Sequence, residues 1–73
     1  MATVMTPPSV DQLGEVAGLV WRALDEQGPT SLTRLPKTVD APRDLVIMAV
    51  GWLAREGKIS IEDEKRKRII SLL

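Results

Sequence analysis

The stretch DAPRDLVIMAVGWLAREGKISI, residues Asp40–Ile61, decides the fold of this chain. Asp40 is placed to cap a helix start, and Pro42 suits a first turn, whose N–H groups have no intrahelical partner. Gly57 suits the left-handed position just past a helix end. Between these signals, from about Ala41 to Glu56, the residues Val46, Ala49, Val50 and Leu53 recur at helical spacing and form one apolar stripe. After Gly57 the period changes to two, with Ile59 and Ile61 set between polar neighbours. The segment therefore reads as a helix that stops at a marked place and turns directly into a strand.

Upstream, Ser9 followed by Gln12 fits a capping box, in which each side chain satisfies a backbone N–H at the other end of the first turn. Leu13, Val16, Ala17, Val20 and Leu24 then give the first helix a single apolar face. Gly28-Pro29 ends it, because glycine takes the left-handed cap and proline cannot continue a helix. Thr30 and Ser31 suit a very short strand, and a second short helix carries Leu32 and Leu35 and ends near Thr38. With Ser31 as its cap, Pro36 would break a helical hydrogen bond; with Thr33 as its cap, Pro36 falls harmlessly in the first turn. Val39 to Ala41 makes the turn into the third helix.

Downstream, Lys58–Glu62 reads as one strand, Asp63–Lys67 as a charged turn and Arg68–Leu72 as the return strand. Ile59, Ile61, Ile70 and Leu72 are the expected inward residues. The adjacent apolar pairs Ile69-Ile70 and Leu72-Leu73 leave the register open, since a slip of one residue still buries a hydrophobic side chain. Met1–Pro8, with two prolines and few apolar anchors, reads as a flexible lead-in to a single domain spanning residues 9–73.

Composition narrows the function. The chain has 73 residues, with ten Lys or Arg balanced by ten Asp or Glu and no cysteine, histidine or tyrosine. Its calculated isoelectric point is mildly acidic, whereas dedicated nucleic-acid domains often lie above about 9. Without cysteine there are no disulfides, which is compatible with a reducing cytosol. No apolar run approaches the roughly 20 residues of a membrane span, and the N-terminus lacks the pattern of a signal peptide. A soluble cytoplasmic protein with no membrane partner is expected. General acid/base and nucleophilic catalysis rely most often on His and Cys, which are absent, and Ser31 and Ser60 have no obvious base. The Glu62–Glu64 cluster lacks the spacing of a calcium loop, and the glycines form no phosphate cradle. No catalytic, cofactor, metal or small-molecule substrate site is expected.

The order helix, short strand, helix, helix, hairpin, together with Leu53-Ala54-Arg55-Glu56-Gly57-Lys58-Ile59 at the helix-strand junction, resembles the winged helix-turn-helix superfamily of small bacterial regulators. More closely, Val20-Trp21-Arg22-Ala23-Leu24 and Val50-Gly51-Trp52-Leu53-Ala54-Arg55-Glu56-Gly57-Lys58-Ile59 are similar to a family of very short, stand-alone bacterial winged-helix proteins of unknown function. The resemblance covers roughly Ser9 to Leu72. It implies an α+β fold of three helices and a small antiparallel sheet, and leaves the activity open, because winged helices serve as DNA readers, dimerisation units and protein adaptors.

With Leu53 turned inward and about 100° per residue, Asp44, Ile47, Met48, Gly51 and Arg55 of the third helix point outward and Trp52 lies on the flank. In a helix-turn-helix complex such residues meet base edges, which are read by paired donors and acceptors, typically from Arg, Lys, Asn or Gln. Ile47 and Met48 offer neither, and Asp44 faces phosphate with the wrong sign. Adjacent apolar residues, a glycine, a tryptophan and Arg55 instead match the composition of interface centres. On the first helix, Gly14 and Gly18 lie one turn apart on the outer side with Leu19 and Trp21 beside them. The simplest reading there is glycine tolerated on an exposed face, with Trp21 folded partly into the core.

The hairpin tip places Glu62-Asp63-Glu64 directly before Lys65-Arg66-Lys67-Arg68. The mixed signs favour a solvated turn over a phosphate grip. Sequence alone thus leads to a non-enzymatic interaction or dimerisation module with a regulatory role. Its partner is a protein, a second copy included, met through Ile47, Met48, Gly51, Trp52 and Arg55. The alternative is a DNA-binding transcriptional regulator that uses Arg43, Arg55, Lys65, Arg66, Lys67 and Arg68.

Overall fold

The computed structural model describes residues 10–73. The expected lead-in and the Ser9 half of the capping box lie outside the described residues. Helix α1, Val10–Gln27, buries Val16, Ala17, Val20, Ala23 and Leu24, with Leu13 half-buried at the edge of the same stripe. It ends as expected: Gly28 adopts φ +82° and its N–H donates to the Leu24 carbonyl at 2.8 Å. The following residues form strand β1, Thr30–Ser31.

Helix α2 spans only Leu35–Thr38, so Pro36 lies in the first turn and removes no helical hydrogen bond. Neither Ser31 nor Thr33 is its cap residue; Arg34 holds that position without a side-chain capping bond. The Ser31 hydroxyl instead stabilises the preceding turn, accepting from the Arg34 N–H at 3.2 Å.

Helix α3, Arg43–Arg55, starts two residues later than expected, with Pro42 at the N-cap and no side-chain capping bond, so Asp40 does not cap it. The cause is steric: the proline ring disfavours the helical region for the preceding residue, which keeps Ala41 out of the helix. Asp44 takes part in the first turn, its Oδ1 accepting from the Leu45 N–H at 2.9 Å. At the other end Gly57 adopts φ +73°, its N–H donates to the Ala54 carbonyl at 3.0 Å and the Lys58 N–H donates to the Leu53 carbonyl at 3.0 Å. This paired pattern is a Schellman motif, and it satisfies two carbonyls that the helix end would leave open.

The chain then enters β2, Ile59–Glu64, and returns as β3, Lys67–Leu72. The sheet is antiparallel in the order β1-β3-β2, which places β3 at the centre. Three helices and this sheet, in the sequence α1-β1-α2-α3-β2-β3, are the winged-helix arrangement. The register pairs Ile59 with Leu72, Ile61 with Ile70 and Asp63 with Arg68. Opposite charges thus extend the ladder: Arg68 Nε donates to Asp63 Oδ1 at 3.0 Å, and the expected five-residue turn shrinks to Lys65-Arg66. Lys65 takes φ +58° there.

Of the four side chains expected to point inward, Ile59 and Ile70 are buried and Leu72 is half-buried, but Ile61 is 42% exposed. Ile61 shares a face with Ile70 yet lies on an edge strand, while Ile70 on the central strand is flanked by β1 and β2. Val20, Leu35, Val46 and Ile70, one each from α1, α2, α3 and β3, are essentially solvent-free and form the centre of one apolar cluster.

Two substitutions test this account. Gly57→Ala forces a Cβ into the left-handed region and is expected to destabilise the fold by about 1–2 kcal/mol. Lys65→Gly relieves the same constraint at the hairpin tip and, after the entropy of glycine is subtracted, stabilises by about 0.5–1 kcal/mol. Urea unfolding midpoints read both.

Candidate interaction surfaces

Helices α1 and α3 form the main helix pair, and Ala17 of α1 and Ala49 of α3 are both buried. Between α1 and the C-terminal end of α3 lies a groove of about 610 Å³. Helix α1 contributes Gly14, Gly18 and Trp21, α3 contributes Trp52, and Glu56 follows at its C-cap. Lys58 and Leu73 complete the rim, where Lys58 Nζ lies 3.5 Å from Glu56 Oε1. Both tryptophans of the chain therefore line one groove. Trp21 is 42% exposed, while Trp52 is half-buried and packs against the core.

Among the described residues nothing in the packing requires the two glycines. A Cβ built on Gly14 or Gly18 meets nothing within 4 Å. They form the open floor beside two large aromatic rings, although a helical glycine is about 1 kcal/mol less favourable than alanine.

The outer face of α3 continues from the groove. Met48 is 50% exposed and sits one turn before Trp52, on the same side of the helix. Asp44, Gly51 and Arg55 are exposed as expected, whereas Ile47 is half-buried. Ile47 lies about 120° round from Leu53, on the flank of the helix and not on its back. The sequence points to Met48, Gly51 and Trp52 for this surface, and Gly14, Gly18 and Trp21 give a weaker hint of the same kind for which glycine on an exposed face is the simpler reading. Leu73, Lys58 and Glu56 gave no signal at all. The rarity of tryptophan in the chain was the one available pointer.

The basic residues divide into groups. Arg43 and Arg55 are the first and last residues of α3, about 18 Å apart along its axis at ~1.5 Å per residue. Lys65, Arg66, Lys67 and Arg68 line a shallow recess with Leu32 and Thr33, to which α3 contributes no residue. Arg68 is held by Asp63 across the hairpin. The six cations of the DNA-binding alternative are thus not assembled on one face.

Among the described residues there is no cluster of three or more metal-ligating side chains and no buried polar or charged side chain. No described helix is long and apolar enough to cross a membrane. The surface offers an aromatic groove between α1 and α3 and exposed cations at α2 and the hairpin tip.

The sequence profile of the winged helix-turn-helix domain DUF2582 matches residues 8–72. This chain belongs to that family. It is 38% identical over 64 residues to the uncharacterized protein MJ1608 of Methanocaldococcus jannaschii, with 84% of this chain and 90% of the relative covered. The resemblance to short bacterial proteins thus extends to an archaeal one. Among solved structures, BpsR of Bordetella bronchiseptica, whose DNA binding is regulated by 6-hydroxynicotinic acid, superposes with a TM-score of 0.73 at 22% identity. That match covers 80% of this chain and 43% of BpsR, so the domain spans less than half of the larger protein. HOP2, a protein with DNA recognition and protein interaction domains, superposes with a TM-score of 0.65 at 28% identity, covering 80% of this chain and 98% of that one. These neighbours confirm the winged-helix fold.

Because the space beside the glycines is open, Gly14→Ala and Gly18→Ala should each stabilise the isolated chain by up to about 1 kcal/mol. Denaturant unfolding at high dilution measures it.

Proposed function

We propose that this winged-helix protein is a non-enzymatic interaction module with a regulatory role, working in the cytoplasm, and that it pairs with a second copy of itself through the groove between α1 and α3. The observation that carries the reading is the coincidence of Trp21 and Trp52 with two glycines whose Cβ positions are empty. A two-fold interface is self-complementary, so the same patch must supply both projection and hollow. Here large rings lie beside an open floor on one face. Trp, Met and Arg are enriched at interface centres, and Met48, Gly51, Arg55 and the flank of Ile47 extend the patch along α3.

Charge agrees with an antiparallel approach of the two α1 helices. With Gly14 of one copy against Gly18 of the other, facing residue numbers sum to 32, so Asp11 of one copy falls level with Trp21 of the other and one residue from its Arg22. Extra buried surface also suits a chain of this size, which on its own buries only about 60% of what its unfolded form exposes. The fold's use in BpsR and HOP2, proteins described by regulated DNA binding and by protein interaction, is in keeping with a regulatory interaction role.

Light scattering on the full chain at micromolar concentration is expected to give the mass of a dimer. Trp52→Ala and Met48→Asp should shift it to monomer. The double variant Gly14→Ala, Gly18→Ala should weaken the dimer by about tenfold or more, roughly 1.4 kcal/mol, while stabilising the monomer. A wild-type protein that remains monomeric overturns the self-association.

A further inference from the structure

We propose that the outer edge of β2 pairs antiparallel with β2 of a second copy, Ser60 facing Ser60, and so joins two three-stranded sheets into one. Among the described residues β3 is the one sheet neighbour of β2. An antiparallel ladder turns alternate residues of a strand toward that neighbour. The Leu73 N–H donates to the Lys58 carbonyl at 3.1 Å, so Lys58, Ser60 and Glu62 direct their backbone groups to β3. Ile59, Ile61 and Asp63 therefore turn their N–H and C=O groups to the outer edge. Ile61 also leaves 42% of its surface exposed, on the sheet face it shares with the buried Ile70.

The occupant is a second copy because this stretch is its own complement. Lys58-Ile59-Ser60-Ile61-Glu62 reads the same in both directions except that its ends carry opposite charges. With Ser60 on a two-fold axis, Ile59 faces Ile61 of the second copy and the two exchange backbone hydrogen bonds. Lys58 then faces Glu62 of the second copy on the other side of the sheet, in a pair without backbone bonds between its members, where side chains stand closest. Symmetry supplies this charge contact twice. The existing contact of Lys58 with Glu56, at 3.5 Å between exposed groups, holds it only weakly.

The acids of the hairpin select the direction and register. Charges on an edge strand ordinarily discourage pairing, and a parallel arrangement would set Glu62, Asp63 and Glu64 against the same three acids. The antiparallel one carries them past each other. Moving the axis to Ile61 sets Ile59 against Asp63, and moving it to Glu62 sets that carboxylate against itself. With the axis at Ser60, Asp63 and Glu64 lie beyond the paired stretch, where Arg68 engages Asp63 at 3.0 Å and Lys67 stands opposite Glu64 in the hairpin. The other side of the sheet offers only the two-residue β1, so the pairing closes at two copies. Of the five residues used, only Lys58 also lines the groove between α1 and α3, and the pairing stands whether or not that groove is filled.

NMR amide spectra of the full chain, recorded from about 0.05 to about 1 mM, suit so small an interface. The Ile59 and Ile61 N–H signals should move downfield with concentration as these donors gain acceptors, while the Asp63 N–H signal holds its place. Lys58→Glu and Glu62→Lys each set like charges opposite one another and should weaken the pairing about tenfold or more. Combined, Lys58→Glu and Glu62→Lys restore opposite charges and should return the affinity to within about threefold of wild type. Met48→Asp, directed at the groove side, leaves the Ile59 and Ile61 response in place, so failure of one contact is read separately from failure of the other. Lys58, Glu62 and Met48 are exposed, and circular dichroism checks that each variant is folded. Signals of Ile59 and Ile61 that stay fixed across the whole range overturn the proposal. So does a double variant that pairs as weakly as either single one.

Discussion

Everything in this domain depends on four side chains that meet out of solvent: Val20 of α1, Leu35 of α2, Val46 of α3 and Ile70 of β3. Each comes from a different element, so no two neighbouring segments can bury their apolar stripes without the others. That explains how a helix as short as α2 persists. Four residues make too few backbone bonds to hold a helix alone, and Leu35 anchors this one from the centre of the core. The same contact fixes the hairpin, because Ile70 draws the central strand inward and thereby decides the register that the adjacent pairs Ile69-Ile70 and Leu72-Leu73 left open.

A core of aliphatic residues, with the only two aromatic side chains at its edge, shapes the surface as well. Ala17 and Ala49 are buried in the core that α1 and α3 share, and both tryptophans line the groove beside it. An aromatic ring half-covered by its own chain is well placed to be covered by another. The glycines opposite add no filling of their own. The groove is thus a direct outcome of how little the small core can cover.

The charges follow a comparable division. With equal numbers of acids and bases, the net charge says only that the chain as a whole does not attract polyanions strongly. Helix α1 carries four acids against one base, while the hairpin sets Glu62, Asp63 and Glu64 directly beside Lys65, Arg66, Lys67 and Arg68. Charge balance in a sequence is a sum, whereas a binding face responds to what lies within about 10 Å, the screening distance at ordinary salt.

Much of the architecture was legible before any coordinates. The helix-to-strand switch after Gly57, the left-handed Gly28, the short strand at Thr30–Ser31 and the charged hairpin all rest on local sterics and periodicity, which the chain carries in its own order. Helix α3 starts two residues after the local signals suggest because two of them compete: Asp40 offers a cap, but Pro42 holds Ala41 out of the helical region. Ile61 is exposed against expectation because period two reveals which residues share a face and not which strand becomes the edge. The outward positions of Met48, Gly51 and Arg55 were legible, while Ile47 proved half-buried.

What the chain order determined by itself, then, is the identity and sequence of the elements, since caps, breakers and hydrophobic periods act within a few residues. Only the tertiary structure decided that Gly14, Gly18, Trp21, Trp52 and Leu73 line one groove, and that Arg34 and Lys37 stand beside the hairpin tip. Those groupings join residues as many as 59 positions apart, from Gly14 to Leu73. They arise from burial of the common core, a property of the whole chain that no local stretch encodes.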